Sequence, residues 1–108
     1  MSDIIVVVRN ERGVVMSSID GELVTVLLTA DGRVLAQQPI RFTVADAVFL
    51  DLSPGNYTVI ARHSALNPTE ARQDISLPDK VMVGVKYFYD ETARRLLRIE
   101  LDMRNLNV

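Results

Sequence analysis

The chain has 108 residues, of which 48% are hydrophobic and 24% charged, and it carries a formal net charge of −2. This balance is typical of a globular protein and argues against a disordered chain or a dedicated nucleic-acid binder. The absence of cysteine excludes disulfides, zinc–thiolate sites and cysteine nucleophiles. We therefore predict a single domain over residues 1–108 and no nucleic-acid partner.

The amino terminus gives no sign of a targeting segment. Residues 4–8 are apolar, but they follow the acidic Asp3 and are fewer than the apolar run of a signal peptide requires. No stretch approaches the roughly 20 apolar residues that cross a bilayer. The sequence accordingly predicts no membrane span and a cytoplasmic location.

Short apolar segments with a period of two recur along the chain, separated by turn signals at intervals of roughly 8–12 residues. No long segment fits a helical pattern. This spacing predicts an all-β protein, either a sandwich or a barrel. In chain order, the predicted extended segments cover residues 4–8, 22–29, 33–36, 40–44, 47–52, 57–62, 71–77, 81–89 and 95–103.

Three local signals refine the first half of this pattern. Residues 4–8 are apolar at every position, which predicts a strand that lies inside a sheet or pairs with a second chain. Asp31 and Gly32 predict a two-residue hairpin turn. Pro39 cannot donate to a ladder, so it ends its strand or confines that strand to a sheet edge.

The last two predicted strands form a hairpin whose register is restricted by the apolar pattern. The odd-numbered apolar residues share a face in both strands, and residues that pair must lie on the same face. A plain four-residue loop would set Val85 against Arg98. We therefore predict a loop of three or five residues, or a bulge beside the turn. Gly84, in the middle of the first strand, predicts a further bulge in preference to a contact site.

Face assignments separate a predicted core from outward-facing apolar residues, and adjoining outward residues are typical of a protein interface. The predicted core contains Val24, Val26, Leu50, Leu52, Tyr57, Val59, Val83 and Val85. The outward set contains Leu23, Leu27, Phe49, Ile60, Met82 and Phe88. As candidate interface residues we select Ile5, Val7, Phe49 and Phe88.

Residues 22–63 resemble the transthyretin-like, carboxypeptidase-regulatory-like domains. They contain a D-G turn, an apolar strand and the segment L-S-P-G-N-Y-T-V at 52–59, and the family-like core extends over about 22–103. The resemblance implies an immunoglobulin-like (transthyretin-like) Greek-key β-sandwich of about seven strands. It also implies that Leu52 and Tyr57 are core residues and that Pro54 and Gly55 form a turn.

The resemblance does not extend to an activity. The hydroxyisourate hydrolases of the wider transthyretin group resemble one another in an amino-terminal histidine and a Y-R-G-S carboxyl end, whereas this chain begins M-S-D-I-I-V and ends R-N-L-N-V. His63 is the only histidine, and Ser64 beside it would point to the opposite face of a strand. We predict no catalytic residue, no metal site and no cofactor.

The sequence has apolar residues on outward faces and no set of residues that would form a catalytic site. It therefore predicts a non-catalytic module for protein–protein interaction or assembly, which self-associates as a homodimer. The alternative is a module that binds a small ligand or carbohydrate through the loop at one end of the sandwich. Its candidate residues are His63, Asn67 and Glu70. A hydrolase is the third hypothesis and rests on His63 alone.

Overall fold

The fold is built from strands. The computed structural model describes residues 1–42 and 46–106, and within them it has eight β-strands and no helix. The all-β prediction is confirmed, although the resemblance implies about seven strands. The strands are β1 (Ser2–Asn10), β2 (Glu22–Thr29), β3 (Val34–Arg41), β4 (Asp46–Leu52), β5 (Gly55–Arg62), β6 (Glu70–Leu77), β7 (Val81–Asp90) and β8 (Arg95–Asn105).

The strands form two four-stranded sheets. Sheet A has the order β4-β1-β7-β8, and sheet B has the order β3-β2-β5-β6. Neighbouring strands pair antiparallel except β1 and β7, which run parallel. Buried apolar side chains from both sheets belong to one cluster, an arrangement compatible with a β-sandwich. The edge strands are β4 and β8 in sheet A, and β3 and β6 in sheet B.

β1 lies in the interior of sheet A, between β4 and β7. Ile4, Val6 and Val8 are fully buried on one face, whereas Ile5 and Val7 are half-buried on the other. Both hydrogen-bonding edges of β1 are occupied by strands of this chain. Of the two predicted roles, the structure therefore gives β1 the position inside a sheet.

β3 is one edge strand where the sequence predicts two segments. Pro39 lies within it. An edge strand tolerates proline because the N–H that proline lacks is needed only on a paired side. The edge alternative for Pro39 is thus confirmed. Residues 43 and 44 of the predicted segment 40–44 lie outside the described residues.

The turn between β2 and β3 is longer than predicted. Thr29 N–H donates to Arg33 O at 2.9 Å, and this bond encloses residues 30–32. Gly32 has a φ of +84°, the left-handed conformation that closes three-residue hairpin loops. The two-residue turn predicted at Asp31 and Gly32 is therefore wrong.

The predicted faces of β2 are reversed. Leu23 and Leu27 are fully buried in the core cluster. Val24 is half-buried on the outer face of sheet B. Val26 pairs with Ile60 on the same face, and neither residue belongs to the core cluster. Both faces of β2 are apolar in sequence, so the period of two cannot distinguish the inner face from the outer one.

A bulge in β4 overturns a second face assignment. Phe49 is buried in the core and Leu50 is 61% exposed, the opposite of the prediction. Asp51 has a φ of +58°, and the register with β1 shifts at this point. The extra residue returns Leu52 to the core side beside Phe49. Phe49 therefore fills the core, where a partner cannot reach it.

The β7–β8 hairpin confirms the bulge predicted beside its turn. The register shifts between Phe88 and Tyr89, and Leu97 is the extra residue on β8. Beyond the bulge, odd-numbered residues of β7 face odd-numbered residues of β8, as predicted. The bulge predicted at Gly84 is wrong, because both neighbouring strands pair regularly with β7 there.

Candidate interaction surfaces

The only histidine follows β5 and is held by contacts within the chain. His63 Nδ1 accepts the Ala65 N–H at 3.0 Å, and Nε2 lies 3.2 Å from Asp20 O. The ring packs edge-on against Phe42, with 5.3 Å between the ring centroids. Both ring nitrogens therefore have backbone partners, which leaves neither of them directed at a ligand.

The other two candidate ligand residues also have partners in the chain. Glu70 accepts a hydrogen bond from Arg62 Nε at 2.7 Å across the β5–β6 pair. The backbone of Asn67 donates to Arg94 O and accepts from Leu96 N–H, both at 2.8 Å. Asn67 thereby covers the first residues on the open side of β8.

Three of the predicted interface residues lie on the outer face of sheet A. Phe88 is buried there, and the guanidinium of Arg98 lies 4.1 Å from the centre of its ring. Ile5 and Val7 line a shallow depression of about 200 Å³ that also includes Met82. Lys86, Asp102 and Arg104 also line this depression, and Arg98 covers Phe88.

Gly84 makes room for a side chain from the neighbouring strand. A Cβ at this position would lie 2.5 Å from Asp102 Oδ1. Asp102 pairs with Gly84 across the β7–β8 ladder, and its carboxylate lies 3.4 Å from Lys86 Nζ. The carboxylate thus leans over β7, away from the open edge of β8. Close approach of a side chain accounts for the glycine.

Apolar side chains of β8 are exposed although they face the core side of sheet A. Leu101 is 49% and Met103 is 59% exposed, while Val85 and Val83, which pair with them on β7, are buried. The bulge residue Leu97 adds a third apolar side chain, 43% exposed. Together, Leu97, Leu101 and Met103 form what we call the β8 stripe.

Tyr87 shows why the β8 stripe is uncovered. Its hydroxyl is within hydrogen-bond distance of Val59 O, at 3.2 Å, and of Ala71 O, at 3.1 Å, on β5 and β6. β7 therefore lies over the last two strands of sheet B, and β8 extends beyond them. On β6 the inward-facing side chains, such as Ala71 and Ile75, are buried.

The opposite edge of sheet A is closed by a side chain. Gln38 on β3 donates from Nε2 to Val48 O, and Val48 N–H donates to Gln38 Oε1 at 3.2 Å. A side-chain amide has the same donor and acceptor as a peptide group, so Gln38 substitutes for one residue of an added strand. β4 is thus blocked at its middle against a further strand.

The β8 edge has no such block along most of its length. β8 is 11 residues long, and beyond the contacts with Asn67 at its start it pairs only with β7 among the described residues. The open part begins near Arg98 and reaches Asn105. It combines free backbone groups with the β8 stripe.

Glu91, in the turn before β8, anchors that turn to the β1–β2 loop. Its carboxylate accepts Asn10 Nδ2 at 2.9 Å and Ser18 Oγ at 2.7 Å, and it also accepts the backbone N–H groups of Ser17 and Ser18. These hydrogen bonds, led by those from Asn10 and Ser18, favour the charged form and lower the pKa of Glu91 to about 2. Such a carboxylate is suited to holding the turn.

Sequence reasoning did not single out the β8 stripe. Its signal is the alternation of Leu97, Ile99, Leu101 and Met103, which is also the pattern of a buried face. The pattern identifies the core side correctly for Ile99, Leu101 and Met103, but it cannot reveal that sheet B ends before β8.

The described part of the chain holds neither a metal centre nor a membrane-spanning helix. No group of three or more His, Cys, Asp or Glu side chains among these residues is placed to hold a metal ion. No helix of these residues is long and apolar enough to span a membrane.

Comparisons with protein-family models, with curated proteins and with solved structures found no match to this chain. A function must therefore be inferred from the geometry of the chain itself.

Proposed function

We propose that the chain is a transthyretin-like, immunoglobulin-like Greek-key sandwich that acts as a protein-interaction module and not as an enzyme. The segment at 52–59 supports the fold, because Leu52 and Tyr57 are buried, as the resemblance implies. Tyr57 also donates its hydroxyl to Ser53 O, four residues upstream. This is the bond of a tyrosine corner, a feature of such sandwiches.

The function that we infer is assembly through the β8 edge, with a homodimer as the product. The single observation that carries it is the β8 stripe on an open edge strand. An added strand gains backbone hydrogen bonds from such an edge and packs its side chains against the exposed apolar ones. The contrast with β4, whose edge is blocked by Gln38, supports a role for β8 in pairing.

The test is the mass of the protein in solution, measured by size-exclusion chromatography with light scattering across a dilution series. We expect a dimer that dissociates on dilution. The variant Met103→Lys places a charge in the stripe and should weaken self-association by roughly tenfold or more. Because Met103 is exposed in the single chain, the variant should fold normally.

The matched control is Leu50→Lys, which puts the same charge at an equally exposed apolar position on the opposite edge of sheet A. It should dimerise as the original chain does. A monomer at every concentration would overturn the proposal, and so would equal effects of the two substitutions.

A second candidate function, binding of a small ligand, draws on a groove at the Pro54 end of the two sheets. The groove has a volume of about 520 Å³ and is lined by residues that include Leu35, Leu50 and Tyr57. Small-molecule sites have volumes of about 300–1,000 Å³ and mainly apolar linings. A ligand screen by thermal shift, with Leu35→Asp as the variant that should abolish any stabilisation, tests this candidate.

A further inference from the structure

We infer that the β8 edge pairs antiparallel with the β8 edge of a second copy, with Asp102 at the two-fold axis. This inference rests on the proposed self-association and adds the identity and register of the partner strand. Two identical strands that pair antiparallel form an isologous interface, in which each contact away from the axis occurs twice. The residue at the axis faces its own copy and therefore defines the register.

Asn67 excludes registers centred near the start of β8. Its backbone occupies the open side of β8 at Leu96. A register centred on Ile99 would place Asp102 of the second copy opposite Leu96, where it would collide with the loop. A register centred on Glu100 conflicts in the same way. The axis must therefore lie at residue 101 or beyond.

Charges on the outer face disfavour the register centred on Leu101. Arg98, Glu100, Asp102 and Arg104 share that face, in the order plus, minus, minus, plus. A register centred on Leu101 would oppose Arg98 to Arg104 and Glu100 to Asp102, which are all contacts between like charges. A register centred on Asp102 opposes Glu100 to Arg104 on both sides of the axis, and these charges attract.

The position of Asp102 reduces the one unfavourable contact of this register. At the axis, Asp102 faces its own copy. Its carboxylate leans over Gly84 and lies 3.4 Å from Lys86 Nζ, on the side of β8 away from the second copy. The two carboxylates are thus drawn apart, and each is balanced by a lysine of its own chain.

A register centred on Met103 also opposes unlike charges, since Asp102 would face Arg104, but the core side of β8 favours the axis at Asp102. With Asp102 at the axis, Leu101 lies opposite Met103 of the second copy, so that the most exposed members of the β8 stripe cover each other. With Met103 at the axis, Leu101 would lie opposite the polar Asn105 instead. Apolar pairs across strands stabilise a sheet more than such mixed pairs do.

The first test uses two single charge reversals, Glu100→Arg and Arg104→Glu. Each variant alone opposes like charges twice in its homodimer, and we expect its self-association to be roughly tenfold weaker. Mixing the two variants gives a heterodimer in which both opposed pairs carry opposite charges. The mixture should associate about as tightly as the original chain, measured by analytical ultracentrifugation with one variant labelled. A mixture no tighter than the separate variants would overturn the register.

The second test exploits the absence of cysteine from the chain. Single cysteines are introduced as Leu101→Cys, Asp102→Cys and Met103→Cys, and disulfide formation is followed under mild oxidation. Residues directly opposite each other in antiparallel strands have Cα atoms roughly 4.5–5.5 Å apart, within the range for a disulfide. We expect Asp102→Cys to cross-link fastest. Faster cross-linking at 101 or 103, or equal rates at all three, would overturn the register.

The two proposals fail in different ways. A dimer that depends on Met103 but cross-links fastest through another residue overturns the register and leaves assembly through β8 intact. A chain that is monomeric at every concentration overturns the proposed function itself. The charge-reversal and cysteine variants change exposed side chains, so loss of folding, checked by circular dichroism, is not expected.

Discussion

The two edges of sheet A expose apolar side chains to a similar extent and differ in their backbones. Leu50 on β4 and Met103 on β8 are both more than half exposed. On β4, however, the peptide groups of Val48 are bonded to the Gln38 side chain, whereas β8 is open beyond its first residues. We therefore propose that exposed apolar residues form a strand-pairing surface only where the backbone edge beside them is free.

The difference between the β4 and β8 edges also affects the form that the proposed assembly takes. If both edges of sheet A were open, β8 of one copy could pair with β4 of the next, and such head-to-tail contacts produce open-ended fibres. In the proposed assembly, a blocked β4 leaves β8 as the edge of sheet A that pairs with its counterpart in a second copy, which closes as a dimer. We therefore propose that Gln38 prevents contacts between β8 and β4, and with them the growth of fibres through sheet A.

Removing Gln38 should have the largest effect of the changes considered. Gln38→Ala frees the N–H and C=O of Val48 and opens the β4 edge. We expect species larger than a dimer that grow with concentration, detected by light scattering, and a loss of about 1 kcal/mol in the free energy of unfolding. Gln37→Ala, at the exposed neighbouring position, is the matched control and should remain a dimer. Identical behaviour of the two variants would refute the role of Gln38.

Two buried tyrosines on β7 allow a test of the position of β7 over β5 and β6, the position that leaves β8 uncovered. Tyr87 bonds to the backbone of β5 and β6, whereas the Tyr89 hydroxyl is buried without a hydrogen-bond partner among the described residues. Tyr87→Phe should lower the free energy of unfolding by about 1–2 kcal/mol. Tyr89→Phe should leave it unchanged or raise it slightly, because a buried unsatisfied hydroxyl is removed. Equal losses in urea denaturation would contradict the assigned contacts.

Much of the fold follows from the sequence, because turns and alternation are local. The position of Pro39 on an edge strand and the bulge beside the last turn are both predictable from neighbouring residues. The turn predicted at Pro54 and Gly55 is placed one residue too far along the chain, because Gly55 is the first residue of β5. The inner face of β2 is not predictable in this way, since both of its faces are apolar. Nor is that of β4, since the bulge at Asp51 changes the alternation by one residue.

The exposure of the β8 stripe cannot be predicted from neighbouring residues, for a different reason. Val85 on β7 and Leu101 on β8 belong to the same kind of alternating pattern, and they pair with each other on one face. One is buried and the other half exposed, because sheet B covers β7 and stops before β8. Alternation encodes the direction of a side chain, whereas exposure depends on where the second sheet ends.

The Glu91 carboxylate should make the turn before β8 sensitive to acid. The pKa of Glu91 is lowered from an ordinary value of 4.5 to about 2, so its hydrogen bonds stabilise the fold fully above pH 4.5. That stabilisation is lost as the pH falls toward 2. Glu91→Gln should therefore lose less stability than the original chain between pH 5 and pH 2.5, measured by urea unfolding at both values. The same loss in both proteins would show that other carboxylates govern the acid sensitivity.

The smallest expected effect is at Gly84, and it separates dimerisation from folding. In Gly84→Ala the new Cβ displaces the Asp102 carboxylate from Lys86 toward the open edge. Removing a mid-strand glycine stabilises the chain by roughly 0.5–1 kcal/mol, and losing an exposed ion pair costs about as much or less. The free energy of unfolding should thus change by less than about 1 kcal/mol.

Self-association of Gly84→Ala should nevertheless weaken by roughly two- to fivefold, because the two displaced carboxylates then face each other at the axis. The double variant Gly84→Ala with Asp102→Asn removes both charges and should restore the original affinity. This pair of results distinguishes the register from one centred on Met103, in which Asp102 would face Arg104 of the second copy and loss of its charge would weaken pairing. If Gly84→Ala instead dimerises as the original chain does, Asp102 does not lie at the axis.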